Sequence, residues 1–320
     1  LNTYFENNPI TSGKDVEVAY ELEAGGSYTI SGDLNLGVNN VQLRGNKVNH
    51  AKVTFTGSGA IVSSGGGMAL KFIDFDCDVV SKGSFVKFGD VPEEIKGMNS
   101  YGIVTNPMII QSCEIRNVRH YLVNINGKKY AIQNFIVRDC LIKFYQDAEI
   151  FNFNSNNSFV KAFELSSSTL YNLSEASNGR FMRVAGGKGA DVGWADCSMN
   201  FTSNTFYNIS CDQEAFNSNV WNRQKNTVNL SKNIFYDSCK GEFNRRIVGG
   251  RTDNAKTCDN NCYWYKGGSG LEKEANGNYG DKSTSAYGVD PGFKDPANGD
   301  FTVRHSEVIS HGSGDPRWLK

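Results

Sequence analysis

The sequence has few of the residues that mark helical bundles, zinc sites or membrane spans. It contains only six Pro, five Met, four Trp and four His among 320 residues. It has no run of 18 or more apolar residues, so we expect no membrane-spanning helix. A formal charge of -1 provides no general attraction to nucleic acid, and we expect no nucleic-acid partner.

The cysteines lack the spacing of a metal site. Cys258 and Cys262 are four residues apart, but no second pair lies near them and the His residues are scattered, which disfavours zinc. The even number of eight Cys is compatible with disulfides, although a chain of this length does not need them to fold. We expect no resident metal and no evident cofactor.

Gly and Asn are abundant instead. The chain has 34 Gly and 36 Asn, about one residue in five, and both types readily adopt turn and left-handed backbone conformations. Both also interrupt helices, so the composition argues against a helical bundle.

Six segments of the sequence align as one repeat. Their sixth residues serve as anchors and are spaced by 27 to 29 residues, with one interval of 36. The segments are MIIQSCEIRNV at 108–118, FIVRDCLIKFY at 135–145, FELSSSTLYNL at 163–173, MNFTSNTFYNI at 199–209, VNLSKNIFYDS at 228–238 and KTCDNNCYWYK at 256–266; the anchors are Cys113, Cys140, Ser168, Asn204, Asn233 and Asn261. The sixth segment begins with Lys256, where the others begin with an apolar residue.

Apolar residues alternate around each anchor at a period of two, which predicts two short strands meeting at a turn. A third short strand follows in most units, as at 123–125, 151–153 and 182–184. Such a unit buries its apolar face only by stacking on its neighbours, which predicts a solenoid. Stacked anchors would lie about 4.8 Å apart, so their Asn side chains could form a hydrogen-bonded ladder, with Cys113 and Cys140 as reduced, buried members.

These repeats resemble the right-handed parallel β-helix proteins of the pectate-lyase-like class, most clearly at 199–206 and 228–235. The tail, DPGFKDPANGDFTV at 290–303 with GDPRW at 314–318, resembles secreted β-helix proteins of gut Bacteroidetes, many of them known only as domains of unknown function. The resemblance implies an all-β, single-stranded right-handed parallel β-helix with three short strands per coil and a capped C-terminus.

We predict one domain over residues 1–320. It would comprise irregular coils at 1–100, regular coils at 101–266 and a C-terminal capping segment at 267–320. Residues 70–75 read as a single strand, and Trp318 is expected to cover an end of the core. A start at Leu1 indicates a processed precursor, and the resemblance implies a secreted, periplasmic or outer-membrane-surface protein. A capped solenoid is expected to be a monomer.

One candidate surface is the column three residues after each anchor, which begins with Arg116 and Lys143. Aromatic rings continue it and could stack on sugar rings. An alternative is that these rings only pack across neighbouring strands, because a long loop could cover that face. The aromatic members are Tyr171, Tyr207, Tyr236 and Trp264.

The second candidate surface is the outward column of the third strands, where pectate-lyase-like enzymes keep their sites. Its polar and basic side chains could hydrogen-bond sugar hydroxyls and pair with uronate carboxylates. Its predicted members are Lys87, Asn124, Asn126, Asn152, Asn154, Arg183 and Arg246. Arg183 or Lys128 could act as the base of a β-eliminating lyase only if desolvated or crowded by cations.

The spacing of the acidic residues indicates neither a hydrolase nor a calcium site. A hydrolase would need two carboxylates about 5–10 Å apart, and none is marked by spacing. The family would also allow Ca²⁺, but no acidic cluster for it is visible in the third-strand column. We therefore expect a protein that acts on a polysaccharide, as a lyase or a glycoside hydrolase, or alternatively a non-catalytic surface solenoid that binds glycan or protein.

Overall fold

The computed structural model describes residues 1–8, 17–77, 83–125, 127–153, 157–173, 179–184, 189–216, 225–245, 247, 255–276 and 280–320. None of the helices in these ranges has the length and apolar character that a membrane crossing requires.

Short strands make up most of the regular structure. The first thirteen are β1 (Glu17–Glu21), β2 (Ser27–Ile30), β3 (Leu34–Asn35), β4 (Asn40–Arg44), β5 (Ala51–Phe55), β6 (Ile61–Ser63), β7 (Met68–Lys71), β8 (Ile73–Asp76), β9 (Ser84–Phe88), β10 (Gly102–Val104), β11 (Met108–Gln111), β12 (Glu114–Val118) and β13 (Tyr121–Asn124). The others are β14 (Tyr130–Arg138), β15 (Leu141–Phe144), β16 (Phe151–Phe153), β17 (Ser158–Ser166), β18 (Thr169–Asn172), β19 (Met182–Val184), β20 (Asp196–Thr202), β21 (Thr205–Tyr207), β22 (Lys225–Ser231), β23 (Ile234–Tyr236), β24 (Ala255–Asp259), β25 (Cys262–Tyr265) and β26 (Gly268–Ser269).

Helices are few and short. The α-helices are α1 (Asn2–Asn7), α2 (Leu271–Ala275) and α3 (Ser306–His311). Single 3₁₀ turns occur at Glu93–Ile95, Met98–Ser100, Gly189–Val192, Cys239–Gly241, Pro296–Asn298 and Pro316–Trp318.

The strands form three sheets, named here by the order in which the chain visits them. The first sheet runs β1-β4-β7-β11-β14-β17-β20-β22-β24 with β10 beside β14, the second β2-β5-β8-β12-β15-β18-β21-β23-β25-β26, and the third β3-β6-β9-β13-β16-β19. Neighbouring strands are parallel, except that β26 pairs antiparallel with β25. From β4 to β9 and again from β11 to β19, consecutive strands belong to the first, second and third sheets in turn. The prediction of an all-β parallel solenoid is confirmed.

Aromatic side chains fill much of the interior. Phe181, Phe201, Phe206, Phe216 and Phe243 are all fully buried, and their ring centroids lie within 6.2 Å of their neighbours in the cluster. Edge-to-face pairs dominate, the geometry that aromatic quadrupoles prefer. Phe181 precedes β20, Phe201, Phe206 and Phe216 lie between the starts of β20 and β22, and Phe243 follows β23, so the cluster joins successive coils.

The predicted ladder is present in the turns between the first and second sheets. From Cys140 to Asn233, each anchor's backbone N–H donates to the side-chain oxygen of the next anchor at 3.0–3.1 Å. The Asn side chains also donate to one another at 3.0 Å, and Asn261 at the end donates to Asp281 at 3.1 Å. The three Asn side chains are fully buried, so the ladder satisfies polar groups that water cannot reach.

A left-handed residue makes each of these turns. The residue before every anchor has φ between 48° and 57°, although none of the six is Gly. The same conformation at Phe72, with φ of 58°, separates β7 from β8. The prediction of a single strand at 70–75 was therefore wrong, because the chain turns from the first sheet to the second at Phe72.

All eight cysteines lie within the described ranges as free thiols. Cys113 and Cys140 are buried in the anchor stack, where their thiols donate to the carbonyls of Leu70 and Ile110. This confirms the prediction that both are reduced, structural residues.

The C-terminal segment, residues 287–320, forms a second hydrophobic cluster on the outside of the second sheet. Val303 and Val308 pack there against Ile234 and Cys262. At Gly314 the segment approaches closely: φ is 99°, and a Cβ would lie 2.6 Å from Ile234 Cδ1. Trp318 Nε1 donates to Thr169 Oγ1 at 2.8 Å. Trp318 was expected to cover an end of the core. It instead contacts β18, which lies in the middle of the second sheet.

Asp315 anchors this segment and should make its attachment depend on pH. Its carboxylate, 1% exposed, accepts from Thr169 Oγ1 at 2.8 Å and contacts Arg317 Nε at 3.0 Å. Burial raises the pKa of Asp315 from 3.8 to about 6, although Arg317 and Thr169 oppose the shift. The folded state therefore binds a proton that the unfolded state has released, and this stabilisation, complete below about pH 4, is lost as pH rises to about 6.

We expect the free energy of unfolding of the wild type, minus that of Asp315→Asn, to fall from pH 4 to pH 6 and to stay level above that. Urea unfolding of both proteins across this range would measure it. A difference that grows with pH would contradict the assignment.

Candidate functional site

The outward column of the third sheet brings together four residues that the sequence predicted. Lys87 pairs with Asn124, Asn124 with Asn152, and Asn152 with Arg183, on the adjacent strands β9, β13, β16 and β19. The column continues through Val62 to Asn35 toward the N-terminus. Parallel strands are spaced by about 4.8 Å, so these side chains form a row on the solvent side. Asn126, Asn154 and Arg246, also predicted for this surface, lie outside the described residues.

The side chains in the row are partly ordered by one another. Asn152 Nδ2 donates to Asn124 Oδ1 at 3.1 Å, and Lys87 Nζ contacts Asp33 Oδ2 at 2.6 Å. Asn152 Oδ1 and Arg183 Nε are buried atoms with no hydrogen-bond partner among the described residues. Two adjacent residues thus have unmet hydrogen-bonding capacity, which buried polar atoms seldom have.

Tyr121, Glu149 and Arg183 form a polar cluster at one side of the row. Arg183 Nη1 lies 3.9 Å from Glu149 Oε1, and both side chains are partly exposed. Burial raises the pKa of Tyr121, the charge of Glu149 raises it further, and Arg183 lowers it. Beside them, the His120 ring lies 4.1 Å from the Tyr121 ring and contacts Asp147 at 2.8 Å. Phenol, carboxylate and guanidinium groups therefore face the same solvent region.

Tyr121 and Glu149 were not among the residues predicted for this surface. Glu149 immediately precedes the buried Ile150 at the entry to β16, and Tyr121 opens β13. Tyr121 lies three residues before Asn124, and Glu149 lies three residues before Asn152. Extending each predicted third strand by two residues toward its N-terminus would therefore have placed Tyr121 and Glu149 at equivalent positions.

Lys128 does not fit the role of a base. Its Nζ donates to Asp90 at 2.6 Å, and this contact lowers the pKa of Asp90. Both side chains are open to solvent, with 35% and 94% exposure. A lysine base must be desolvated or surrounded by cations, whereas Lys128 faces water and a carboxylate. Lys128 therefore meets neither condition that the sequence prediction set for a base.

A cavity of about 330 Å³ lies at the N-terminal end of the row. Asp33, the partner of Lys87, and Asn35, the first member of the row, both line it. The α1 residues Asn2, Phe5 and Glu6 form its other side. The ion pair between Lys87 and Asp33 thus links the row to this cavity, past the buried Val62.

The aromatic column of the second sheet is not an open sugar-binding platform. Tyr171, Tyr207, Tyr236 and Trp264 are aligned as predicted, on β18, β21, β23 and β25. However, Phe301 packs on Tyr171 and Tyr207 with centroid distances of 5.1 and 5.4 Å, and Phe293 lies 5.6 Å from Tyr236. The C-terminal segment packs on these three tyrosines and buries Tyr171, whereas Tyr207 and Tyr236 keep part of their surface exposed. Glycan stacking on Tyr207 and Tyr236 stays a prediction. Trp264, near the end of the column, stays partly exposed.

Metal ligands are not assembled in the part of the chain that the structure describes: no group of three or more His, Cys, Asp or Glu side chains there is arranged to hold an ion.

Comparison with known proteins found two family matches. Residues 26–173 match the model of a domain of unknown function, DUF4957, and residues 199–318 match that of another, DUF5123. No curated protein and no solved structure matches the chain. The two matched segments meet within continuous sheets, because β17 pairs with β20 and β18 pairs with β21.

Proposed function

We propose that this protein is a secreted, monomeric parallel β-helix that binds a polysaccharide along its third sheet. The observation that carries the proposal is the row of Lys87, Asn124, Asn152 and Arg183, in register across four strands. The three sheets would close around the core as a right-handed helix with three strands per coil, so the row would follow the long axis.

The row suits an extended ligand with many hydroxyl groups. Asn amides both donate and accept, as sugar hydroxyls do, and Lys87 and Arg183 add positive charge for carboxylated or sulfated sugars. Asn152 and Arg183 are both partly exposed, which supports a polar ligand at that end of the row. Mutual contacts between the side chains reduce the entropy lost on binding.

Cleavage of the bound chain is a second candidate function, favoured by the cluster of Tyr121, Glu149 and Arg183. Arg183 could neutralise a sugar carboxylate, which acidifies the neighbouring proton, and Glu149 could exchange protons with the substrate. Without cleavage the same row would serve as a binding surface only.

Arg183→Ala should weaken glycan binding by roughly 10-fold to 100-fold, since a hydrogen bond to a charged group contributes about 1.5–3 kcal/mol. Titration calorimetry with oligosaccharides from a panel of pectins, other uronates, glycosaminoglycans and neutral glycans would measure it. Unsaturated products and new reducing ends, assayed on the same panel, would distinguish cleavage from binding alone.

Arg116→Ala is the matched control. Arg116 has the same 43% side-chain exposure and also contacts a carboxylate, but it lies on the second sheet. An equal loss in both variants, or no binding to any glycan by the wild type, would contradict the proposal.

A further inference from the structure

Lys256 occupies a position that the repeat reserves for core residues. It pairs with Val228, which pairs with Met199, and both of these side chains are buried. The Lys256 side chain is part-buried and its Nζ also donates to the carbonyl oxygen of Gly280 at 2.8 Å, so the amine has lost part of its hydration. Burial indeed lowers the pKa of Lys256, favouring the neutral amine, although nearby acidic groups oppose the shift.

The amine contacts a fully buried amide. Lys256 Nζ lies 3.2 Å from Asn244 Oδ1, and Asn244 is 0% exposed. Because a C=O bond is about 1.23 Å long, Nζ is within roughly 4.4 Å of the amide carbon Cγ. Reacting atoms in near-attack geometry are about 3–3.5 Å apart, so a small movement suffices.

A buried carboxyl group lies at the other end of the same amide. Asn244 Nδ2 is 3.0 Å from Glu274 Oε2, and Glu274 is 2% exposed. Burial raises the pKa of Glu274, which favours its protonated form, although hydrogen bonds from Asn244 and Phe243 oppose this. In this structure Glu274 accepts from Asn244 Nδ2 and from the backbone N–H groups of Phe243 and Asn244. Once it carries a proton, it lies where it could protonate the departing amine.

We propose that Lys256 and Asn244 form an intramolecular isopeptide bond, with Glu274 as the proton shuttle. The lone pair of Lys256 Nζ attacks Asn244 Cγ, a new C–N bond forms and the Cγ–Nδ2 bond breaks. Glu274 transfers one proton from the attacking to the leaving nitrogen, so that one ammonia leaves and Glu274 is regenerated. The reaction needs no oxidant, metal or cofactor.

The surroundings favour this reaction over competing ones. Tyr263, 1% exposed, also contacts Asn244 Nδ2 through its hydroxyl at 3.1 Å, and Phe243 is fully buried beside it. Water, which would hydrolyse the amide, is thereby kept from it. Cys258 Sγ lies 3.9 Å from Asn244 Oδ1, but burial raises its pKa to about 12, so the thiol is not an effective nucleophile.

The intact mass of the purified full-length chain tests the proposal. We expect it to be lower than the sequence mass by one ammonia, and a protease digest to contain a branched peptide joining Lys256 to Asn244. Lys256→Met and Asn244→Ala should have their full sequence masses. Glu274→Gln, which keeps shape but cannot shuttle a proton, should form the bond at least 100-fold more slowly.

Each other result overturns the proposal. A wild type that keeps its full mass after prolonged incubation shows that no bond forms. A loss of ammonia without the branched peptide places the reaction elsewhere, as at the Asn-Gly steps 276–277 or 298–299. Unchanged bond formation in Glu274→Gln removes the carboxyl from its assigned role. The wild-type mass gives a result even if a variant fails to fold.

Discussion

Replacing Asn233 by Ala should lower the free energy of unfolding by about 3–4 kcal/mol, because the substitution removes several hydrogen bonds from a dry site at once. The Asn233 side chain accepts from the backbone and side chain of Asn204, and it donates to Phe201 O and Asn261 Oδ1. Each group left without a partner is buried, so water cannot replace what is lost. Urea unfolding followed by circular dichroism would measure the change.

Asn229→Ala is the matched control for the ladder. Asn229 lies on β22, four residues before Asn233, but it faces outward and donates to Asn200 at 2.9 Å near solvent. We expect a loss below about 1 kcal/mol there. Similar losses in the two variants would show that the ladder contributes no more than an ordinary surface amide.

The ladder shows what the sequence predicted well. Asn204, Asn233 and Asn261 recur at the same position of the repeat. When successive repeats pair as parallel strands, residues at the same position must stack on one another. The register of Lys87, Asn124, Asn152 and Arg183 followed from the same logic. Both results depend only on short-range alternation repeated along the chain.

The covered aromatic column shows where sequence reasoning stopped. Periodicity aligned Tyr171, Tyr207 and Tyr236, but it carries no information about a segment that returns from about a hundred residues later. Phe293 and Phe301 belong to no repeat, so nothing local indicated which surface they would cover. Lys256 is the reverse case: it departs visibly from its repeat, but periodicity says nothing about its contact with Asn244, twelve residues earlier.

Phe301→Ala should release the C-terminal segment while the solenoid stays folded. Phe301 is fully buried among Tyr171, Tyr207, Phe293 and Trp318, and truncating a buried Phe costs about 3–5 kcal/mol. Phe301 is not part of the main core cluster, and its neighbour Phe293 packs against the separate cluster that contains Val303 and Val308. The loss should therefore fall on local opening rather than on global unfolding. Hydrogen exchange resolved by peptide should rise by at least 100-fold over residues 290–320, with little change in β11 to β16.

Phe206→Ala separates this local effect from a general one. Phe206 is also fully buried on the second sheet, but it points into the main core, where it stacks on Phe235 at 5.0 Å. Its truncation should raise exchange throughout the solenoid. If Phe301→Ala gave that same uniform pattern, the C-terminal segment would be part of the solenoid's single cooperative unit and would not detach from the tyrosines separately.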